Sequence, residues 1–264
     1  MLPVYRLLLH EQQVLFVTAG LTPEGYMRCA SASADGMFAL WDLEAGSRLQ
    51  MVRERGDAGV MVVDVDWSTS RLVSGTDSGI IRLWQLGGGG CEPGVAAGTR
   101  TFTGHEQAVW TLAVKWRAGT GSSEEPSQPP SRAMGALSTA SSGNKKKKSQ
   151  QEENNNDYNA DSDAELLLSA GADGKIRLWD LASGLLLRLL LGHTEVVWRL
   201  AADWSTGLIL SSSHDRTLRL WDLGSETCQE TDPPSCSCTR VLQGHAQSVV
   251  CLALLTADCI CPDA

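Results

Sequence analysis

Short runs in which apolar and polar residues alternate recur along the chain, separated by Asp-Gly, Ser-Gly and similar turn pairs. Ile176-Arg-Leu-Trp179 and Leu218-Arg-Leu-Trp221 are examples. Alternate residues of a strand share a face, so each run predicts a strand with one apolar side. Four segments fit one template of strand, tight turn and strand: Ser31 to Trp41, Ser74 to Trp84, Ser169 to Trp179 and Ser211 to Trp221. Serine and tryptophan stand ten residues apart in all four. That regularity predicts an all-β chain built from repeated hairpins.

A second recurring piece lies upstream of each hairpin. It reads Gly104-His105 through Trp116 and Gly192-His193 through Trp204. Degenerate copies start at Leu9-His10 and at Gly56-Asp57, the latter reaching Asp66-Trp67, and a last copy starts at Gly244-His245. From the histidine position to the closing tryptophan the separations are 31, 27, 74 and 28 residues. Three agree, and the third copy carries an insertion of about 46 residues.

Gly-His near the start and Trp-Asp near the end of a unit of about 40–45 residues resembles the WD-repeat family. The resemblance covers essentially all of the chain outside the insertion. It implies four-stranded blades set around a central channel, a β-propeller. Four complete copies and a partial fifth follow, with blades at about 10–55, 56–103, 104–191, 192–243 and a partial 244–264, as one domain over 1–264. In the fourth copy the strands are expected at 195–203, 207–213, 217–222 and 239–242.

The good copies each hold a His, Ser, Asp and Trp. The sets are His10, Ser31, Asp35 and Trp41; His105, Ser169, Asp173 and Trp179; and His193, Ser211, Asp215 and Trp221. The resemblance implies a structural tetrad in which the aspartate accepts from the histidine while serine and the indole N–H complete the chain, as buried polar groups require. A hydrolase site would need one exposed nucleophile and an oxyanion hole instead of a set repeated blade after blade. The second copy has Asp57 in the histidine position, Ser78 in the aspartate register and Asp77 one place early. A broken tetrad is expected there, making that blade the least stable.

By the same resemblance, partners meet one rim. Two kinds of position face it: Leu15, Val62, Trp110, Trp198 and Val250 on the inner strands, and Ala34, Asp77, Ala172 and His214 before the turn aspartate. Trp110 and Trp198 stand out because large aromatics dominate interface energies. His214 and Arg216 add polar and cationic character, and Asp77 is the second copy's contribution. The alternative for the two tryptophans is packing between blades, as expected for Trp67, Trp116 and Trp204.

Other features adjust this picture. Residues 117–165 are polar and hold a Lys145–Lys148 run, so they read as a disordered loop within the third blade; the lysine run is either a nuclear signal or plain solvated loop. Gly87–Gly90 and residues 223–238 read as connections. The formal charge of −9 speaks against a nucleic-acid surface over the whole molecule. No apolar run approaches a membrane span, and the N-terminal stretch, with Arg6, does not read as a secretory signal. Of the eight cysteines, Cys236/Cys238 and Cys259/Cys261 form C-x-C pairs and none forms C-x-x-C, so no metal site is expected, and reduced thiols are the default.

The expected function is a non-enzymatic scaffold that binds partner proteins or peptides on the rim, intracellularly, in cytoplasm or nucleus, with no cofactor. The alternative is a substrate-recognition subunit of a multiprotein enzyme complex such as a ubiquitin ligase. A propeller-based hydrolase is the third reading. Four copies leave ring closure open. Pro3–Leu9 could join 244–261 as a makeshift fifth blade, while the favoured reading is a truncated ring whose open edges need further blades or a partner.

Overall fold

The computed structural model describes residues 10–54, 56, 58–86, 97–117, 163–224, 228–229 and 235–253. All regular structure there is β. The first sheet is β1 (Val14–Leu21), β2 (Met27–Ser33), β3 (Met37–Asp42) and β4 (Ser47–Arg53), paired in that order. The second is β5 (Val60–Asp66), β6 (Arg71–Thr76), β7 (Ile81–Gln85) and β8 (Ala97–Phe102). The third contains β9 (Val109–Lys115), β10 (Leu166–Gly171), β11 (Ile176–Asp180) and β12 (Leu186–Leu191). The fourth is β13 (Val197–Asp203), β14 (Leu208–Ser213), β15 (Leu218–Asp222) and β18 (Arg240–Leu242). These last four strands start and end within two residues of the limits expected from the sequence.

Each sheet is an antiparallel meander, and consecutive sheets stack. β5 packs on β1 and β2, β9 on β5 and β6, and β13 on β9 and β10. The apolar faces meet in between: Phe38, Leu40 and Val52 of the first sheet close on Val60, Val63 and Val65 of the second. Trp67, Trp116 and Trp204, at the ends of the inner strands, join these seams. The inner strand approaches closely enough that a Cβ on Gly171 would lie 1.9 Å from the Ala108 carbonyl oxygen. Glycine is required at that crossing.

Val14, Val60, Val109 and Val197 hold one register position. Val60, Val109 and Val197 are fully buried, whereas Val14 is 49% exposed. Among the described residues, β1 does not pack on β13 and β14 in the way the other inner strands pack on their predecessors. The described residues form four blades stacked in sequence order. At the other end Val249 begins a fifth inner segment, its N–H donating to the Ser213 carbonyl at 3.1 Å.

Two features differ from the sequence reading. The 223–238 connection is partly strand: β16 (Cys228–Gln229) and β17 (Ser235–Ser237) pair with each other, and β17 runs parallel to β12. It thereby covers the outer edge of the third sheet, whose unpaired N–H and C=O groups would otherwise be open. Cys236 is disulfide-bonded, against the expectation of reduced thiols. The backbone pairing sets Cys236 opposite Cys228. Cys29, Cys238 and Cys251 are free. The Pro3–Leu9, Asp57, Gly87–Gly90 and Lys145–Lys148 readings lie outside the described residues. So does 118–162, although its flanks are anchored: Glu165 pairs bidentately with Arg71 at 2.5 and 2.8 Å.

Candidate functional site

Beneath the rim, three sheets carry the same hydrogen-bond chain. Trp41 Nε1–H donates to Ser31 Oγ at 2.9 Å, Ser31 Oγ lies 2.8 Å from His10 Nε2, and His10 Nδ1 lies 3.1 Å from Asp35. In the third sheet the distances are 2.8 Å for Trp179 to Ser169, 2.8 Å for Ser169 to His105 and 3.0 Å for His105 to Asp173. In the fourth they are 2.9 Å for Trp221 to Ser211, 2.7 Å for Ser211 to His193 and 2.7 Å for His193 to Asp215. A carboxylate only accepts, so in the first and fourth sheets the proton on the histidine sits at Nδ1, whereas in the third Arg177 Nη1 also lies 2.6 Å from His105 Nδ1. Nε2 then accepts from the serine hydroxyl, which accepts from the indole. Every member is satisfied.

The electrostatics favour that arrangement. Burial lowers His105 and His193 below the ordinary histidine value, and their aspartates counter it only in part. Burial alone would raise Asp215, but donation from Thr217 and His193 outweighs it and holds the group at about 2. Asp173 is pulled well below the carboxylate range by His105 and Arg177 despite its burial. Arg177 Nη1 donates to Asp173 at 2.7 Å and Nη2 to the Gly104 carbonyl at 2.7 Å. Ser169 and Ser211 are fully buried, with an indole pointed at each oxygen. Neither of these two serines is open to solvent.

The second sheet keeps the Trp84 to Ser74 bond at 2.8 Å. Where the other sheets have histidine, Ser74 Oγ donates instead to Glu54 at 3.0 Å, and Glu54 forms an ion pair with Arg82. The expected gap is thus filled by a residue from the end of the preceding sheet. Sequence reasoning missed Glu54. Arg82 was no signal, because Arg177 and Arg219 hold the same place, two before the tryptophan, in sheets that keep the histidine.

The rim itself forms where each turn meets its own inner strand. The Ala34, Asp77, Ala172 and His214 N–H groups donate to the carbonyls of Gln13, Gly59, Ala108 and Val196, at 2.8–3.0 Å. Trp110 and Trp198 come together, with ring centroids 5.4 Å apart and planes tilted by 60°. His214 stands edge-on to Trp198 at 6.3 Å. Its Nδ1 lies 2.5 Å from Ser248 Oγ, and its Nε2 lies 3.6 Å from Glu195. Both tryptophans are half-buried, so they are neither free surface nor seam. Trp198 Nε1 is buried without a hydrogen-bond partner.

The other expected rim residues stand apart. Asp77 and Arg216 are exposed on turns of the second and fourth sheets, outside this cluster. The register gives Met61, not Val62, the position in the second sheet that Trp110 holds in the third; Met61 is 9% exposed. Val250, at 59%, is open. A residue the sequence reading passed over, Arg199, lies at the centre. Its Nη1 donates to the Trp198 and Trp110 carbonyls at 3.2 and 3.4 Å, and its guanidinium sits 5.6 Å from the Phe16 ring centroid. The corresponding inner-strand positions hold Phe16, Val62 and Thr111, so a charge there was the available clue.

Four stacked meanders with this repeated hydrogen-bond chain agree with comparison to known proteins. Residues 158–180 and 184–222 match the family model described as WD domain, G-beta repeat. Over these residues the chain is similar to WD-repeat proteins. A Penicillium rubens protein described as a probable E3 ubiquitin ligase complex SCF subunit is 26% identical over 158 residues. The match takes in 55% of this chain and 22% of the relative, so the chain spans about a fifth of that protein's length. Among the described residues no helix is long and apolar enough to cross a membrane, and no group of His, Cys, Asp and Glu is arranged to hold a metal.

Proposed function

We propose that this chain is a WD-repeat binding scaffold that takes a partner protein or peptide on the rim around Trp110, Trp198 and His214. The observation that carries the reading is the half-buried tryptophan pair. Indole rings held by their neighbours offer a rigid apolar anchor at little entropic cost, and residues of this type dominate interface energies. The tetrads beneath lock the turns that present the rim, and serve no chemical step.

The test is affinity capture with the wild-type chain, Trp110→Ala and Trp198→Ala side by side. Captured proteins that disappear with either variant, at a melting temperature close to wild type, support the rim. An unchanged capture profile, or loss only through unfolding, refutes it. A second reading, a recognition subunit of a ubiquitin ligase, draws on the description of the Penicillium relative. It requires ligase components among the proteins captured.

A further inference from the structure

We propose that the rim selects partner segments carrying a carboxylate side chain beside a bulky apolar one, with Arg199 as the residue that receives the carboxylate. The inference rests on the rim reading and goes beyond it by naming the chemistry.

Arg199 projects from β13 between the backbone of the tryptophan pair and the Phe16 ring. One nitrogen, Nη1, is engaged by two carbonyls that fix the direction of the group. Among the described residues no acid pairs with Arg199, and Nε and Nη2 make no hydrogen bond. These two nitrogens are also absent from the buried polar atoms without partners, so solvent reaches them. Other rim cations are differently placed: Lys175 pairs with Glu106 at 3.0 Å, and Arg177 is locked to Asp173. A guanidinium oriented by backbone and presenting two free donors matches a carboxylate in a bidentate pair. The Trp110–Trp198 pair, whose two carbonyls hold Nη1, supplies the adjoining apolar platform.

The surrounding charge decides which anion fits. Glu195 is exposed on the turn that carries Trp198. It adds like charge that a singly charged carboxylate tolerates better than a phosphate dianion. A cationic partner group would meet Arg199 head-on.

A positional array of immobilised hexapeptides, probed with the wild-type chain, Trp198→Ala and Arg199→Gln, tests this. Enrichment of Asp or Glu next to Leu, Phe or Trp among bound peptides is expected. Binding of those peptides should fall about tenfold or more in Arg199→Gln, the scale of a charge-assisted pair. Peptides without an acid should be unaffected. Circular dichroism and melting of Arg199→Gln, with Arg199→Lys as a variant that keeps the charge but not the fork, separate lost recognition from lost fold. If no peptide depends on Trp198, the rim reading itself fails and this one with it. If Trp198-dependent peptides show no acidic preference, prefer phosphorylated residues over Asp and Glu, or bind Arg199→Gln equally well, the carboxylate inference alone is overturned.

Discussion

Ser74 donates its hydroxyl to Glu54 across the boundary between the first and second sheets, at 3.0 Å. A buried carboxylate thus takes the part that histidine plays in the other three sheets, and Arg82 balances its charge. Removing one member of a buried pair leaves the other uncompensated and costs about 3–5 kcal/mol. Glu54→Ala is therefore expected to lower stability by that order, and Glu54→Leu with Arg82→Leu by much less. Urea denaturation of the three proteins measures this. Equal losses in the single and double variants would show that the pair does not matter as a pair.

The remaining tetrads predict an acid sensitivity. His105 and His193 have folded values below the unfolded one, so the unfolded chain binds protons that the folded chain refuses. Their contribution is complete above the unfolded value, about 6.5, and is lost as pH falls below it. Asp215, depressed to about 2, and Asp173, also depressed, add a further loss as pH drops below the unfolded carboxylate value, about 3.8. In an Asp64→Asn background, which removes a carboxylate raised to about 6 and so of opposite sign, melting temperature is expected to decline progressively from about pH 6.5 downward. Asn at both 173 and 215 should flatten the lower limb of the profile.

The repeat was legible because each tetrad lies mostly within one hairpin. A serine on the second strand and a tryptophan ten residues later on the third strand are close by geometry of the turn alone, so spacing reports contact. Strand limits in the fourth sheet followed from the same alternation. Glu54 was not legible, because it ends one sheet and serves the next, and nothing in its local pattern marks that. The pairing of Ser235–Ser237 with Leu186–Leu191 was hidden for a related reason. It is parallel and joins segments more than 40 residues apart, so neither C-x-C spacing nor turn residues encode it. Trp110 and Trp198 were picked out singly, but their contact depends on the stacking of the third and fourth sheets.

Arg216 adopts φ of 67°, where the matching turn positions hold Gly36, Gly79 and Gly174 at φ of 69–81°. A side chain in this left-handed region costs roughly 1–2 kcal/mol relative to glycine. Arg216→Gly is expected to raise stability by about 1 kcal/mol, or the melting temperature by about 2–4 °C for a chain of this size. Differential scanning calorimetry reads it directly. A decrease would mean that the arginine gains more from the rim than its backbone loses.

Asp64 provides a test of opposite sign to the tetrads. It occupies the middle of β5, where Ala113 and Ala201 stand in β9 and β13. Burial pushes it up to about 6, and Asp66 adds to the rise, although the Val65 N–H donates to it at 2.9 Å. A folded value above the unfolded one means that the folded chain holds its proton longer, so stability falls as pH rises from about 3.8 to about 6. Above that range the cost is complete, and each unit of displacement corresponds to about 1.4 kcal/mol. Asp64→Asn keeps an acceptor for Val65 and removes the charge. It should stabilise the protein at pH 7.5 by up to roughly 3 kcal/mol, with the difference from wild type vanishing near pH 4. Paired denaturation curves at the two pH values check it. A variant that is destabilised at both would show that the carboxylate itself holds β5 against the Val114 backbone.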